Sequence, residues 1–160
     1  MQYTPIKAEH DKELAELIRT SLRAHRLDIP GTVYFDDALD HLSEYYDHPA
    51  RAYYVLVKDG HVVGGIGLAE LDAFPRCCEL QKLYLDDSMK GNGIGYKMIE
   101  FIEQKAREMG YRQMYLETHT NLQAAIHIYE KSGFEQIERP KSVVHSTMNR
   151  FYIKHFEDKQ

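Results

Sequence analysis

Gly91, Gly93 and Gly95 stand at alternate positions in the segment Leu83–Tyr96, which runs from a stretch of β-formers into an amphipathic stretch. A turn of this kind, leading from strand to helix, can aim several backbone N–H groups at one point. The helix N-terminus adds a partial positive charge there. The chemistry this favours is anion binding, most naturally of a pyrophosphate. A Walker A loop needs Gly-Lys followed by Ser or Thr, and the turn has neither Ser nor Thr in that place. A Rossmann fingerprint needs a third glycine three positions after the second, whereas these glycines are evenly spaced. A turn that merely caps a helix, with no ligand, stays open at this point.

The elements that must hold the turn follow from periodicity. Gln2 to Ala8 reads as a first strand, and Glu9 to Ala24 as a helix with Leu14, Leu17, Ile18 and Leu22 on its apolar face. Pro30 and Gly31 mark a loop, and Asp36 to Tyr46 reads as a second helix. Ala52 to Val57 and Val62 to Leu71 form a hairpin about Asp59-Gly60. Gly64, Gly65 and Gly67 within it mark a bulge or the close approach of another group. Cys78 to Leu85 is the strand before the turn, and Tyr96 to Met109 the helix after it, capped by Gly110. A strand at Arg112–Thr118, a helix at Gln123–Lys131 and strands at Phe134–Glu138 and Thr147–Phe156 complete the chain. The order predicts a single α/β domain over residues 1–160, with a mixed, mostly antiparallel sheet and helices on both faces.

Composition narrows the class. Of 160 residues, 43% are hydrophobic and 28% charged, as in ordinary soluble globular proteins. No run approaches the roughly 20 apolar residues of a membrane helix. The residues Met1 to Pro5 lack the blocks of a signal peptide. A net charge of −5 argues against a nucleic-acid binder and fits an amine acceptor better than an acidic one. Cys77 and Cys78 are neighbours whose side chains point to opposite faces of a strand, which disfavours a bridge and suits a reducing compartment. The expectation is a cytoplasmic protein with no metal, since the nine histidines show no ligand spacing.

Lys90-Gly91-Asn92-Gly93-Ile94-Gly95 resembles the pyrophosphate loop of the GNAT superfamily of N-acetyltransferases, Gln/Arg-x-x-Gly-x-Gly/Ala, with Lys90 in place of the usual Gln or Arg. Downstream, the run from Ala125 through Tyr129 to Gly133-Phe134 resembles the closing pattern of the same family, Ala-x-x-x-Tyr-x-x-x-Gly-Phe. The two pieces occur in order, with a helix and a strand between them. The likeness covers Ala52 to Glu138; the first 50 residues match mainly in element order.

The resemblance implies a splayed central strand pair and acetyl-coenzyme A as cosubstrate. Leu83, Tyr84 and Leu85 would offer main-chain contacts to pantetheine, and Lys90, Gly91, Asn92, Gly93, Ile94, Gly95 and Tyr96 would cradle the diphosphate. Asn121 is a further coenzyme candidate, although it stands one position earlier than the family's asparagine. Tyr129 matches the tyrosine that protonates the departing thiolate; its alternative is a buried tyrosine packing helix on sheet. Glu79 lies fourteen residues before Gly93, the spacing of the general base in histone-type members, and its alternative is a structural glutamate. Tyr34 and Phe35, with the segment Pro140 to Met148, are candidate acceptor contacts. The implied reaction is acetyl transfer to a primary amine of a small molecule by direct attack. A protein N-terminus or lysine as acceptor, or a catalytically silent acyl-coenzyme A module, are the alternatives. Family analogy also implies a homodimer.

Overall fold

The computed structural model describes residues 2–144 and 146–157. Strands β1 (Gln2–Pro5), β2 (Ala52–Lys58), β3 (His61–Leu71), β4 (Cys77–Leu85), β5 (Gln113–Thr118), β6 (Glu135–Ile137) and β7 (Arg150–His155) form one sheet in the order β1-β2-β3-β4-β5-β7-β6. Every pair is antiparallel except β4 with β5. The β2–β3 hairpin closes on Asp59 and Gly60, both with positive φ, as the Asp-Gly signal predicts.

Helix α1 (Asp11–Ala24) buries Leu14, Ala15, Ile18 and Leu22, the stripe expected from i, i+3, i+4 spacing. With α2 (Leu42–Tyr45) it covers one face of the sheet, around Tyr46, Tyr53 and Val55. Helix α3 (Ile94–Glu108) and helix α4 (Gln123–Lys131) cover the other, around Ile66, Leu68, Met98, Ile102, Met114 and Tyr129. Gly110, at φ +94°, ends α3 as its sequence position predicts, and the Tyr111 N–H returns to the Ala106 carbonyl at 3.0 Å. Apolar burial on both faces thus fixes β4 at the centre of the molecule.

The expected helix Asp36–Tyr46 is instead a 3-10 turn at Asp37–His41 followed by the single turn α2. Side chains compete with a continuous helix here. The Asp36 carboxylate accepts from the Ala38 N–H at 2.9 Å, and Asp40 takes a bidentate pair from Arg19 at 2.8 and 2.9 Å. Asp11 accepts from the Ser43 N–H at 2.9 Å, across 32 residues. The first strand and the last two are also shorter than periodicity suggests.

The central feature is where β4 and β5 part. Their pairing runs only from Cys77–Gln113 to Glu79–Tyr115. Both strands continue, β4 against β3 to Leu85 and β5 against β7 to Thr118. A wedge therefore opens inside the sheet immediately beyond Glu79, as the splayed pair implied.

Candidate active site

The wedge opens into a cavity of about 1150 Å³ reached by α1, β4, the glycine turn, β5 and α4. At one end lies the N-terminus of α3. Its cap residue, Gly93, has φ +71° and supplies no side chain to the first N–H groups. Gly91 has φ +87°. A left-handed backbone costs a residue with a Cβ roughly 1–2 kcal/mol, so glycine is the ready choice at both positions. Gly95 lies inside α3, where a Cβ would stand 2.9 Å from Cδ1 of Ile128, the far end of a flexible side chain on α4. Asp86 holds the entrance by accepting from the Ser88 N–H at 3.0 Å and its hydroxyl at 2.6 Å. Lys90 brings an ammonium to the rim, 2.8 Å from Asp87.

A bulge shapes the middle of the cavity. Gly65 pairs with Tyr84 and Gly67 with Gln81, which leaves Lys82 and Leu83 opposite one residue. Lys82 has φ +53°. The bulge is secured from below by Tyr53, whose hydroxyl donates to the Lys82 carbonyl at 2.7 Å. That ring lies against Gly65 and Gly67, where any Cβ would meet it at 2.4 Å. The glycines in β3 therefore mark a close approach, by Tyr53.

The catalytic candidates gather around this bulge. Glu79 and Tyr129 both line the cavity. Burial pushes the Glu79 carboxyl up, while the Gln81 amide, donating at 2.8 Å, opposes that rise and the nearby Glu117 adds to it. Gln81 is itself fixed by the Tyr46 hydroxyl at 2.8 Å. Glu117 accepts from Tyr115 at 2.7 Å and from Ser146 at 3.0 Å. Tyr129 is 6% exposed, and burial, reinforced by Tyr84, raises its phenol well above the ordinary value. Among the described residues, no protein group hydrogen-bonds the Tyr129 hydroxyl. The site thus holds a carboxylate with raised proton affinity and a phenol that keeps its proton.

Leu83, Tyr84, Leu85, Lys90, Gly91, Gly93, Ile94, Gly95 and Tyr96 all line the same cavity. Asn92 belongs to the turn but is exposed and does not line it. Asn121 lies off the cavity, its amide donating to the His25 carbonyl at 3.0 Å. That bond ties the loop after β5 to the end of α1. Tyr34 and Phe35 stand just beyond Thr32 and Val33, which do line the cavity. The Tyr34 hydroxyl accepts from Arg23 at 3.1 Å, and Phe35 is 61% exposed. Of Pro140–Met148, residues 142–144 and 146–148 line the cavity, and His145 lies outside the described residues.

Glu117, Gln81 and Lys82 were not among the sequence candidates. The alternation of Tyr115 and Glu117 on one face of β5 was a readable signal for the first. The other two depend on the bulge, whose partner Tyr53 lies two strands away.

Comparison with known proteins agrees with this geometry. The chain matches the acetyltransferase (GNAT) family over residues 12–134. It is 41% identical to the uncharacterized N-acetyltransferase YjgM of Escherichia coli over 109 residues, 68% of this chain and 65% of that protein. It is 24% identical to human N-acetyltransferase 8 over 79% of this chain and 60% of that protein. The chain thus spans less than two thirds of the length of these relatives. The fold matches the crystal structure of a GNAT-family acetyltransferase from Staphylococcus aureus with a TM-score of 0.84 and 23% identity, over 98% of this chain and 99% of that one. It also matches the PaiA N-acetyltransferase of Thermoplasma acidophilum in complex with coenzyme A, with a TM-score of 0.74 and 17% identity over 98% and 100% of the two chains. Uncapped helix, split sheet and family match converge: this chain belongs to the acetyltransferase (GNAT) family.

Proposed function

We propose that the protein transfers the acetyl group of acetyl-coenzyme A to a primary amine on a small molecule. The observation that carries this is the continuity of one cavity, from the uncapped α3 N-terminus through the β4–β5 wedge to Glu79 and Tyr129. The residues present fit acetyl-coenzyme A. Left-handed glycines and free helix N–H groups suit a diphosphate. The edge of Leu83 to Leu85 that faces away from β3 suits an amide-bearing arm, and one cavity is lined by both that edge and the glycine turn.

Acetyl-coenzyme A supplies an acetyl group activated as a thioester. Glu79 takes the proton of the acceptor ammonium. The freed nitrogen forms its bond to the acetyl carbon and sheds its second proton to solvent; the carbon–sulfur bond breaks as Tyr129 gives its proton to the sulfur. Solvent returns a proton from Glu79 to the tyrosinate. Each carried proton lowers the barrier by an amount equivalent to roughly 10²–10⁴ in rate.

A small acceptor is favoured over a peptide because the loops flanking the acceptor end are tied together. The Thr147 hydroxyl donates to the Gly31 carbonyl at 3.2 Å, and Thr147 Cγ2 occupies the space beside Gly31. A cytoplasmic location goes with this reading, supported by two free, buried cysteines; among the described residues no helix is long and apolar enough to cross a membrane. A homodimer and a single domain belong to the same proposal.

The experiment is a panel of amines offered with acetyl-coenzyme A while free thiol is measured. Amine-dependent thiol release is the expected result. Tight coenzyme binding with no release for any amine would leave only a silent binding module.

A further inference from the structure

Lys82 is a half-buried cation held where a strand would not ordinarily place one. Its backbone is left-handed, and the bulge that turns it is locked by Tyr53 and by two glycines with no room for a side chain. Its ammonium sits 5.6 and 5.8 Å from the ring centres of Tyr45 and Tyr46. Among the described residues it forms no ion pair; Glu79 and Asp36 attract it only from beyond contact. Other basic side chains of the chain are paired at short range: Arg19 with Asp40, Arg51 with Glu70, Lys154 with Glu103. A half-buried ammonium at the cavity wall, with two tyrosine rings as its neighbours and no carboxylate in contact, is open to an anionic partner.

Lys82 faces the same cavity as Glu79 and Glu117. The cavity wall therefore carries both carboxylates and an ammonium. A simple amine satisfies only the carboxylates. A diamine would bring a second cation towards Lys82. A ligand with a cation and an anion a few bonds apart satisfies both.

We propose, resting on the acetyltransferase reading above, that the acceptor is an amino-acid-like zwitterion whose carboxylate is bound by Lys82 while its amine is presented to Glu79. Lys82 then determines specificity and takes no part in proton transfer.

The test measures kcat/KM for thiol release with the protein amino acids and with the amine left when each loses its carboxylate. The best acceptors should be amino acids, preferred over their matched amines by about tenfold or more, the range of one charge-assisted hydrogen bond. Lys82→Met should reduce that preference by about the same factor, and Lys82→Arg should retain most of it. Should Lys82→Met fold poorly, Lys82→Gln serves the same purpose. Matched amines that equal or outperform the amino acids in the native protein would overturn the zwitterion while leaving acetyl transfer intact. A preference that survives Lys82→Met would remove Lys82 from recognition and leave it a prop on Tyr45 and Tyr46. Silence with every amine would sink this inference together with the reading beneath it.

Discussion

The Tyr53 hydroxyl reaches from β2 beneath β3 to the Lys82 carbonyl on β4, a span of 2.7 Å at its end. A ring in the second strand thus holds the shape of the fourth, and β3 gives up two side chains to let it pass. The positive φ of Lys82 falls in the bulge that this contact braces.

Gly67→Ala should accordingly be severe. Its Cβ would meet the Tyr53 ring at 2.4 Å and the Ala52 carbonyl at 2.7 Å, and a backbone atom cannot step aside cheaply. A loss of about 1–3 kcal/mol is expected, seen as a fall of several degrees in Tm. Tyr53→Phe keeps the packing and removes only the bond to Lys82. It should lower kcat/KM by a larger factor than its modest effect on Tm would suggest. A variant with full activity would show that the bulge stands without its brace.

Tyr129→Phe isolates the proposed acid. The ring remains to pack against Phe134, 6.0 Å away, so Tm should hold. Turnover should fall by about 10²-fold while coenzyme affinity, read by calorimetry, stays within a factor of about two. Unchanged kcat would assign the proton to another donor.

The pH dependence follows from Glu79. Its carboxyl titrates above the ordinary range because it is buried and faces Glu117. A base must be ionised, so kcat/KM should rise with pH through that elevated value, and Glu79→Gln should abolish this limb. For stability the sign is opposite. A raised folded pKa means that the group's favourable contribution is present below the unfolded carboxylate pKa and is lost as pH rises through the folded value. Glu79→Gln should therefore melt higher than the native protein near neutral pH, with the gap closing on acidification.

The glycines of the turn divide in two. Gly93→Ala places a Cβ on a left-handed backbone in open space, so it strains the turn without touching a neighbour. Coenzyme A binding should weaken by about tenfold, near the cost of one such conformation. Gly95→Ala lies in the helix, where alanine is favoured by about 1 kcal/mol, and displaces only a methyl of Ile128. Its Tm should remain close to that of the native protein. Calorimetry and thermal melts of the pair check both statements.

Local chemistry explains what the sequence made legible. The Gly91–Gly95 turn, the α3 stripe and the Asp59-Gly60 hairpin depend on neighbours within a few residues. So does the stop at Gly110. The 3-10 turn at Asp37–His41 was missed because Arg19 and Asp11 reach it from a distant helix. Lys82 looked like any strand lysine, since its left-handed backbone is imposed by Tyr53 through two glycines. Asn121 stands one position short of the family's asparagine, and its amide donates to the His25 carbonyl. Glu117 lay in view beside Tyr115, but only the fold brings it to Glu79.

The wedge beyond Glu79 leaves the interior edges of two strands without each other. If pantetheine fills that gap, the cosubstrate is also a missing piece of the architecture. Binding to the native chain alone adds stability that grows with the logarithm of ligand concentration. The stability of this protein would then track the supply of coenzyme A.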